Sequence, residues 1–118
     1  MYLDMTSSLS IVPAGPVAGQ CCAPPAGLDS ALDAERLAAM GKALAEPLRV
    51  QIVDALRRSE EPVCQCELVA LFDIGQSLLS HHMKKLIDAA LVEVERRHRW
   101  AYYSVPADAF QELIAWLS

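Results

Sequence analysis

The chain lacks most of what would mark an enzyme or a membrane protein. It has no run of about 18 apolar residues, so no helix that crosses a bilayer is expected. Near Met1 there is no basic stretch leading into a continuous apolar segment, the pattern of a secretory signal. A cytoplasmic protein with reduced thiols is therefore expected, with no membrane partner. A glycine-rich phosphate loop, a nucleophile elbow and a pair of facing carboxylates are all missing, which leaves catalysis without support and implies no organic cofactor. Net positive charge is missing too. The formal charge is −5 over 118 residues, which excludes nucleic-acid binding by the whole surface. The four cysteines never take the C-x-x-C spacing of a zinc ribbon, and no histidine lies near them. There is no internal repeat.

What is present is an apolar content of 53%, enough for one domain with a core, and an uneven distribution of charge. From Gln76 to Arg99 there are five Lys/Arg and three Asp/Glu, a local +2 that leaves −7 on the rest, and all three histidines fall in this stretch. Binding to a polyanion by one edge of an acidic body is thus possible. Within the stretch, Gln76–Ala90 reads as a helix with two unlike faces. Leu79, Met83, Leu86, Ile87 and Ala90 recur at helical spacing as an apolar stripe. Ser77, Ser80, His81, Lys84 and Lys85 fall mostly on the other side, with Asp88 at its end. Donors, acceptors and cations on one face suit a major groove, whose base edges offer the complementary groups and whose flanks are phosphates.

Met1–Gly27 is interrupted by Pro13, Pro16, Pro24, Pro25 and several glycines, and is expected to be an arm without fixed structure, carrying Cys21 and Cys22. The folded domain is expected over 28–118. Asp33 is placed to cap a helix reaching about Leu44, with Leu37, Met40, Gly41 and Leu44 as its stripe and Gly41 allowing another helix to approach. Pro47 suits the first position of a second helix that ends before Ser59. Val63–Gln65 is a short strand, Cys66–Phe72 a short helix with Leu68, Leu71 and Phe72 inward, and Asp73-Ile74-Gly75 a turn for which Gly75 is suited. After Ala90, Val92–Glu95 alternates as a half-buried strand does, Arg96-Arg97-His98-Arg99 forms a polar tip, and Trp100–Val105 returns as its partner. Pro106 opens a last helix with Phe110, Leu113, Ile114 and Leu117 as its stripe. Helix, helix, helix-turn-helix, hairpin, helix is a mainly α fold with a β-hairpin wing, the winged helix-turn-helix. Its second motif helix enters the major groove and its wing reaches the backbone or minor groove. The candidate DNA contacts are Gln76, Ser77, Ser80, His81, Lys84 and Lys85 on the helix, and Arg96, Arg97, His98 and Arg99 on the wing.

A second chemistry is sulfur. Cys21-Cys22 are adjacent, and Cys64-Gln65-Cys66 is a pair spaced by one residue. Four soft thiolates in two clusters favour soft metal or metalloid ions. Residues two apart on a regular helix point about 200° apart. Cys64 and Cys66 can therefore meet only if Cys64 precedes the helix. Three sulfurs would need both arm cysteines and one of the pair; four would need all of them.

The segments Lys42–Val50, Val63–Leu68, Gln76 with Ser80–Leu86, Leu91-Val92 and Arg99–Tyr103 together resemble the ArsR/SmtB family of metal-responsive bacterial repressors, over about Ala34–Leu117. The resemblance implies a homodimer built on the first and last helices, bound to an inverted-repeat operator in double-stranded DNA and released by its ligand. It places the ion site at Cys64 and Cys66, with the adjacent arm cysteines Cys21 and Cys22 resembling those of arsenite-sensing members. As(III) or Sb(III) is the inducer implied. A Cd(II)/Pb(II) or Hg(II) sensor, or a thiol redox switch, are the alternatives. Three features depart from the family pattern. Gly75 and Leu78 stand where Ser/Thr and Thr are usual. Arg97-His98 replaces a glycine at the wing tip, which implies a longer or different turn. Asp108 is followed by Ala109 and Phe110 rather than by the histidines of zinc-sensing members, so no zinc site is expected in the last helix.

Overall fold

The computed structural model describes residues 27–118. Contacts set residues 27–32 apart from the compact unit Asp33–Ser118, the second of two. The arm assigned to residues 1–27, with Cys21 and Cys22, lies outside the described residues apart from Gly27. The second unit holds every element that follows.

Helix α1 spans Ala34–Ala43, and Asp33 caps it by accepting from the backbone N–H of Arg36 at 2.9 Å. Pro47 stands at the first position of α2, Pro47–Arg58, where its missing N–H costs nothing. Strand β1 is only Val63–Cys64, and α3 covers Gln65–Phe72. Helix α4 runs from Gln76 to Asp88, β2 from Glu93 to Arg97, β3 from Trp100 to Ser104 and α5 from Gln111 to Leu117. The strands form one antiparallel sheet in the order β1-β3-β2, with Cys64 opposite Tyr102 and Arg97 opposite Trp100. No helix among the described residues is long and apolar enough to cross a membrane.

One core joins these parts. Met40 of α1, Ile52 and Leu56 of α2, Leu68 of α3, Leu79, Met83 and Leu86 of α4, and Ala101 and Tyr103 of β3 are buried together. Burying a Leu, Ile or Met side chain is worth roughly 1.5–3 kcal/mol, so this cluster fixes how α4 leans on the body. Its exit is also fixed. Ala90 takes a left-handed φ of 59°, and Leu91 N–H donates back to the Leu86 carbonyl at 3.0 Å. Ala90 N–H reaches the Ile87 carbonyl at 2.8 Å. This paired closure satisfies the last carbonyls of the helix and drives Leu91 into the core beside Leu86.

Several expectations are corrected. Helix α4 stops at Asp88, so Ala90 is exposed and off the stripe, and His82 is buried in its place. The residue that turns the chain between α3 and α4 is Asp73, at φ 54°, not Gly75, whose φ of −71° and ψ of 158° any residue adopts. Among the described residues nothing lies within 4 Å of a Cβ built on Gly41, so no described helix packs closely on it. Leu71 is exposed beside Val50, and α3 turns Leu68, Val69 and Phe72 inward instead. The expected half-buried strand is an exposed edge: Val92 is buried just before β2, whereas every residue of β2 is exposed. The last helix begins five residues after Pro106, because Pro106–Phe110 forms turns first, with Ala109 N–H on the Pro106 carbonyl. Ile114 and Leu117 of its expected stripe are exposed.

Candidate nucleic-acid interface and thiol site

The helix-turn-helix is built by α3, the Asp73–Gly75 turn and α4, with α3 and α4 packed directly on each other. Gln76, Ser77, Ser80, His81, Lys84 and Lys85 are all exposed. Helical geometry separates them, however. Ser77, His81, Lys84 and Asp88 follow one row at spacings of three and four, and Lys84 is tied to Asp88 at 3.2 Å. Ser80 flanks that row on one side. Lys85 lies on the other flank, nearer His82, and lines a cavity with residues of α1 and α2. The single polar face read from the sequence is thus divided, and Lys85 is apart from the rest.

In the wing, Arg96 and Arg97 belong to β2 itself, and only His98 and Arg99 connect the strands. A longer turn is not needed, because His98 adopts the positive φ, 59°, that a glycine usually supplies. Arg96, Arg97, His98 and Arg99 are all exposed. Arg97 is held: it pairs with Glu95 at 3.1 Å and lies over the Tyr102 ring, 4.5 Å from its centroid. Its hydrogen bonds to Glu95 hold that carboxyl below the usual range. Among the described residues Arg96 and Arg99 form no ion pair.

The thiols meet at the start of α3. Cys64 is the residue just before the helix, with an extended backbone of φ −66° and ψ 141°, and its sulfur accepts from the Cys66 backbone N–H at 3.4 Å. Glu67 reaches back to accept from the Cys64 N–H at 2.9 Å. This is a capping box in which a thiol stands where Ser or Thr is common. Its effect is to bring the Cys66 Sγ to 2.8 Å from the Cys64 Sγ. Cys64 is buried and Cys66 exposed. The bond to Cys64 and the nearby charges of Cys64 and Glu67 push the Cys66 thiol up from its ordinary range. The pair offers two sulfurs. Among the described residues no group of three or more His, Cys, Asp or Glu is arranged to hold a metal ion, so a three-sulfur set would need ligands from elsewhere, as Cys21 and Cys22 could supply.

Two residues escaped the sequence reading. His82 is buried on α4 with its Nδ1 lacking a partner among the described residues, and Arg49 of α2 buries its Nε in the same condition. Burial first, then the charge of Arg49, holds the His82 imidazole below its ordinary pKa. The signal was present: position 82 is three after Leu79 and four before Leu86, on the edge of the apolar stripe.

A short helix and turn that present a second, polar-faced helix, followed by an arginine-bearing hairpin, define a winged helix-turn-helix DNA-binding regulator. Residues 46–94 match the bacterial regulatory protein, arsR family. The chain is 35% identical to the arsenical resistance operon repressor of Bacillus subtilis over 74 residues, 63% of this chain and 70% of that protein. The structure of NolR from Sinorhizobium fredii aligns with a TM-score of 0.59 and 32% identity, over 73% of this chain and 84% of that one. A homodimeric winged helix-turn-helix DNA-binding domain from Mycobacterium bovis shares the fold, with a TM-score of 0.61 at 24% identity, over 78% of this chain and 87% of that one. The chain belongs to the arsR family of bacterial regulatory proteins. It is a transcriptional repressor, not an enzyme.

Proposed function

We propose that the protein is a homodimeric repressor that holds an inverted-repeat operator and leaves it when As(III) or Sb(III) binds its cysteine thiolates. The observation that carries this reading is the 2.8 Å approach of the Cys64 and Cys66 sulfurs at the first turn of α3, the helix that supports the reading helix α4. Arsenite favours three sulfurs in a pyramid, and Cys21 and Cys22 would complete the set with one or both of this pair. Binding at α3 releases DNA only if the ion prefers the conformation that fits DNA less well. A hundredfold release requires roughly 3 kcal/mol of such coupling.

The dimer reading rests on α5, which among the described residues packs only the half-buried Leu113 against the core and leaves Ile114 53% and Trp116 56% exposed. Such apolar exposure on one short helix suits a partner surface, and the Mycobacterium bovis relative in fold is a homodimer.

The test is a gel-shift titration of the reduced protein on its operator with arsenite, antimonite, cadmium, lead and mercury. Release by arsenite at the lowest concentration, lost in a Cys21→Ser/Cys22→Ser variant, is expected. Wild-type release by that variant would remove the arm from the site. X-ray absorption separates three As–S bonds from the four sulfurs of a cadmium site. The short sulfur–sulfur distance also favours a second reading, a thiol redox switch. That reading requires release by peroxide with no metalloid present.

A further inference from the structure

We propose that the cavity between the end of α1, the start of α2 and the end of α4 binds a tetrahedral oxyanion, through Lys42, Arg49 and Lys85. The cavity measures about 440 Å³ and is open to solvent. Three helices each contribute one cation to its wall: Lys42 from α1, Arg49 from α2 and Lys85 from α4. Ala39 and Ala43 line the wall on the α1 side, so small side chains leave the space between the cations empty.

Charge and hydrogen bonding point the same way. Among the described residues none of the three cations is in an ion pair, although five other basic side chains of the chain are. The one acid on the wall, Asp88, is engaged by Lys84 at 3.2 Å, which offsets its charge. Arg49 is the decisive member. Its Nε is buried and, among the described residues, has no hydrogen-bond partner. A buried donor left unpaired is costly, and because this nitrogen is closed to solvent, an oxygen bound in the cavity becomes its acceptor only once the guanidinium turns toward the opening. A guanidinium with its planar donors is well suited to phosphate-like oxygens, and flanking ammonium groups add point charge. The placement also accounts for Lys85, which the helix turns away from the Ser77, His81 and Lys84 row.

The oxyanion is either free in solution or a phosphate of bound DNA, and one set of measurements separates the two. The thermal midpoint of the full-length reduced protein is measured in sodium phosphate and in sodium chloride at equal ionic strength. It is then repeated for a Lys42→Gln/Lys85→Gln variant, whose substitutions are at exposed positions. In parallel, the Arg49 Nε–Hε resonance is followed during titration with phosphate and with a mixed-sequence DNA duplex. A free-anion site predicts extra stabilisation by phosphate that the variant loses, together with a shift of the Arg49 resonance on adding phosphate. A DNA phosphate site predicts a resonance shift with duplex alone, and a duplex salt dependence whose slope falls by about 2 in the variant. An Arg49 resonance unmoved by either titrant overturns the proposal, whatever the salt slope does.

Discussion

Arg36 of α1 donates through Nε to a carboxylate oxygen of Glu112 in α5 at 3.0 Å, and the same guanidinium donates to the carbonyl of Ala89 at the end of α4. One side chain therefore joins the first helix, the reading helix and the last helix. The carbonyl bond is part-buried, while Glu112 is more than half exposed. Arg36→Ala is expected to lower stability by about 1–2 kcal/mol, chiefly through the carbonyl left behind. Glu112→Gln should cost under about 1 kcal/mol, as exposed ion pairs do. Urea unfolding of the two variants checks the ranking.

The first turn of α4 begins without a side-chain cap, because Gly75 precedes it. Its backbone is ordinary, and a Cβ there would meet nothing within 4 Å. Gly75→Ser should therefore raise stability, by a few tenths to about 1 kcal/mol, through a new cap and a less flexible unfolded chain. The midpoint of thermal unfolding would rise accordingly. A fall would mean that the site is strained in a way the backbone angles do not show.

His82 gives stability a pH dependence. Its folded pKa lies below the ordinary 6.5 because of burial, the charge of Arg49 and that of His81, opposed by Glu46. The unfolded chain then binds more protons than the folded one as pH falls, so the contribution is complete above about 6.5 and is lost as pH drops through the folded pKa. Thermal midpoints measured from pH 7.5 down to pH 5 should fall more in the wild type than in His82→Leu. Parallel curves would remove His82 as the source.

On DNA, the reading helix and the wing should behave differently. Arg96 and Arg99 are exposed and, among the described residues, outside any ion pair, so replacing either with Ala is expected to weaken binding across sequences and lower the salt slope by about 1. His81→Ala and Ser80→Ala should instead alter base preference, since they flank or lie on the row that continues into Lys84. Binding to a panel of duplexes at several salt concentrations distinguishes the two patterns. Uniform loss for all four variants would contradict the assignment of α4 to the groove.

Much of this architecture is local enough to be written in short stretches of sequence. Asp33 and Pro47 mark helix starts because capping and proline geometry act within one turn. The thiol pair was legible as a condition: the sulfurs could meet only if Cys64 preceded the helix, and it does. What depended on distant packing was harder to read. Lys85 shares an exposed helix surface with Lys84, but its surroundings are set by α1 and α2. The wing tip is two residues long because His98 accepts a left-handed conformation, which no pattern around it announced. Leu71 has the spacing of a core residue, yet an eight-residue helix offers the core only part of its circumference.

Cys64, in the two-residue strand β1, is paired with Tyr102 of β3, and Tyr102 in turn lies beneath Arg97. So short a strand holds few ladder bonds, and local opening there costs far less than global unfolding. When that edge of the sheet opens, the buried Cys64 thiol is uncovered and the strand beneath the wing arginine loses a neighbour in the same event. The rate at which a reagent reaches Cys64 is therefore a clock for fluctuation of the wing. A contact with DNA that steadies the wing should slow that clock, with no contact between DNA and the cysteine.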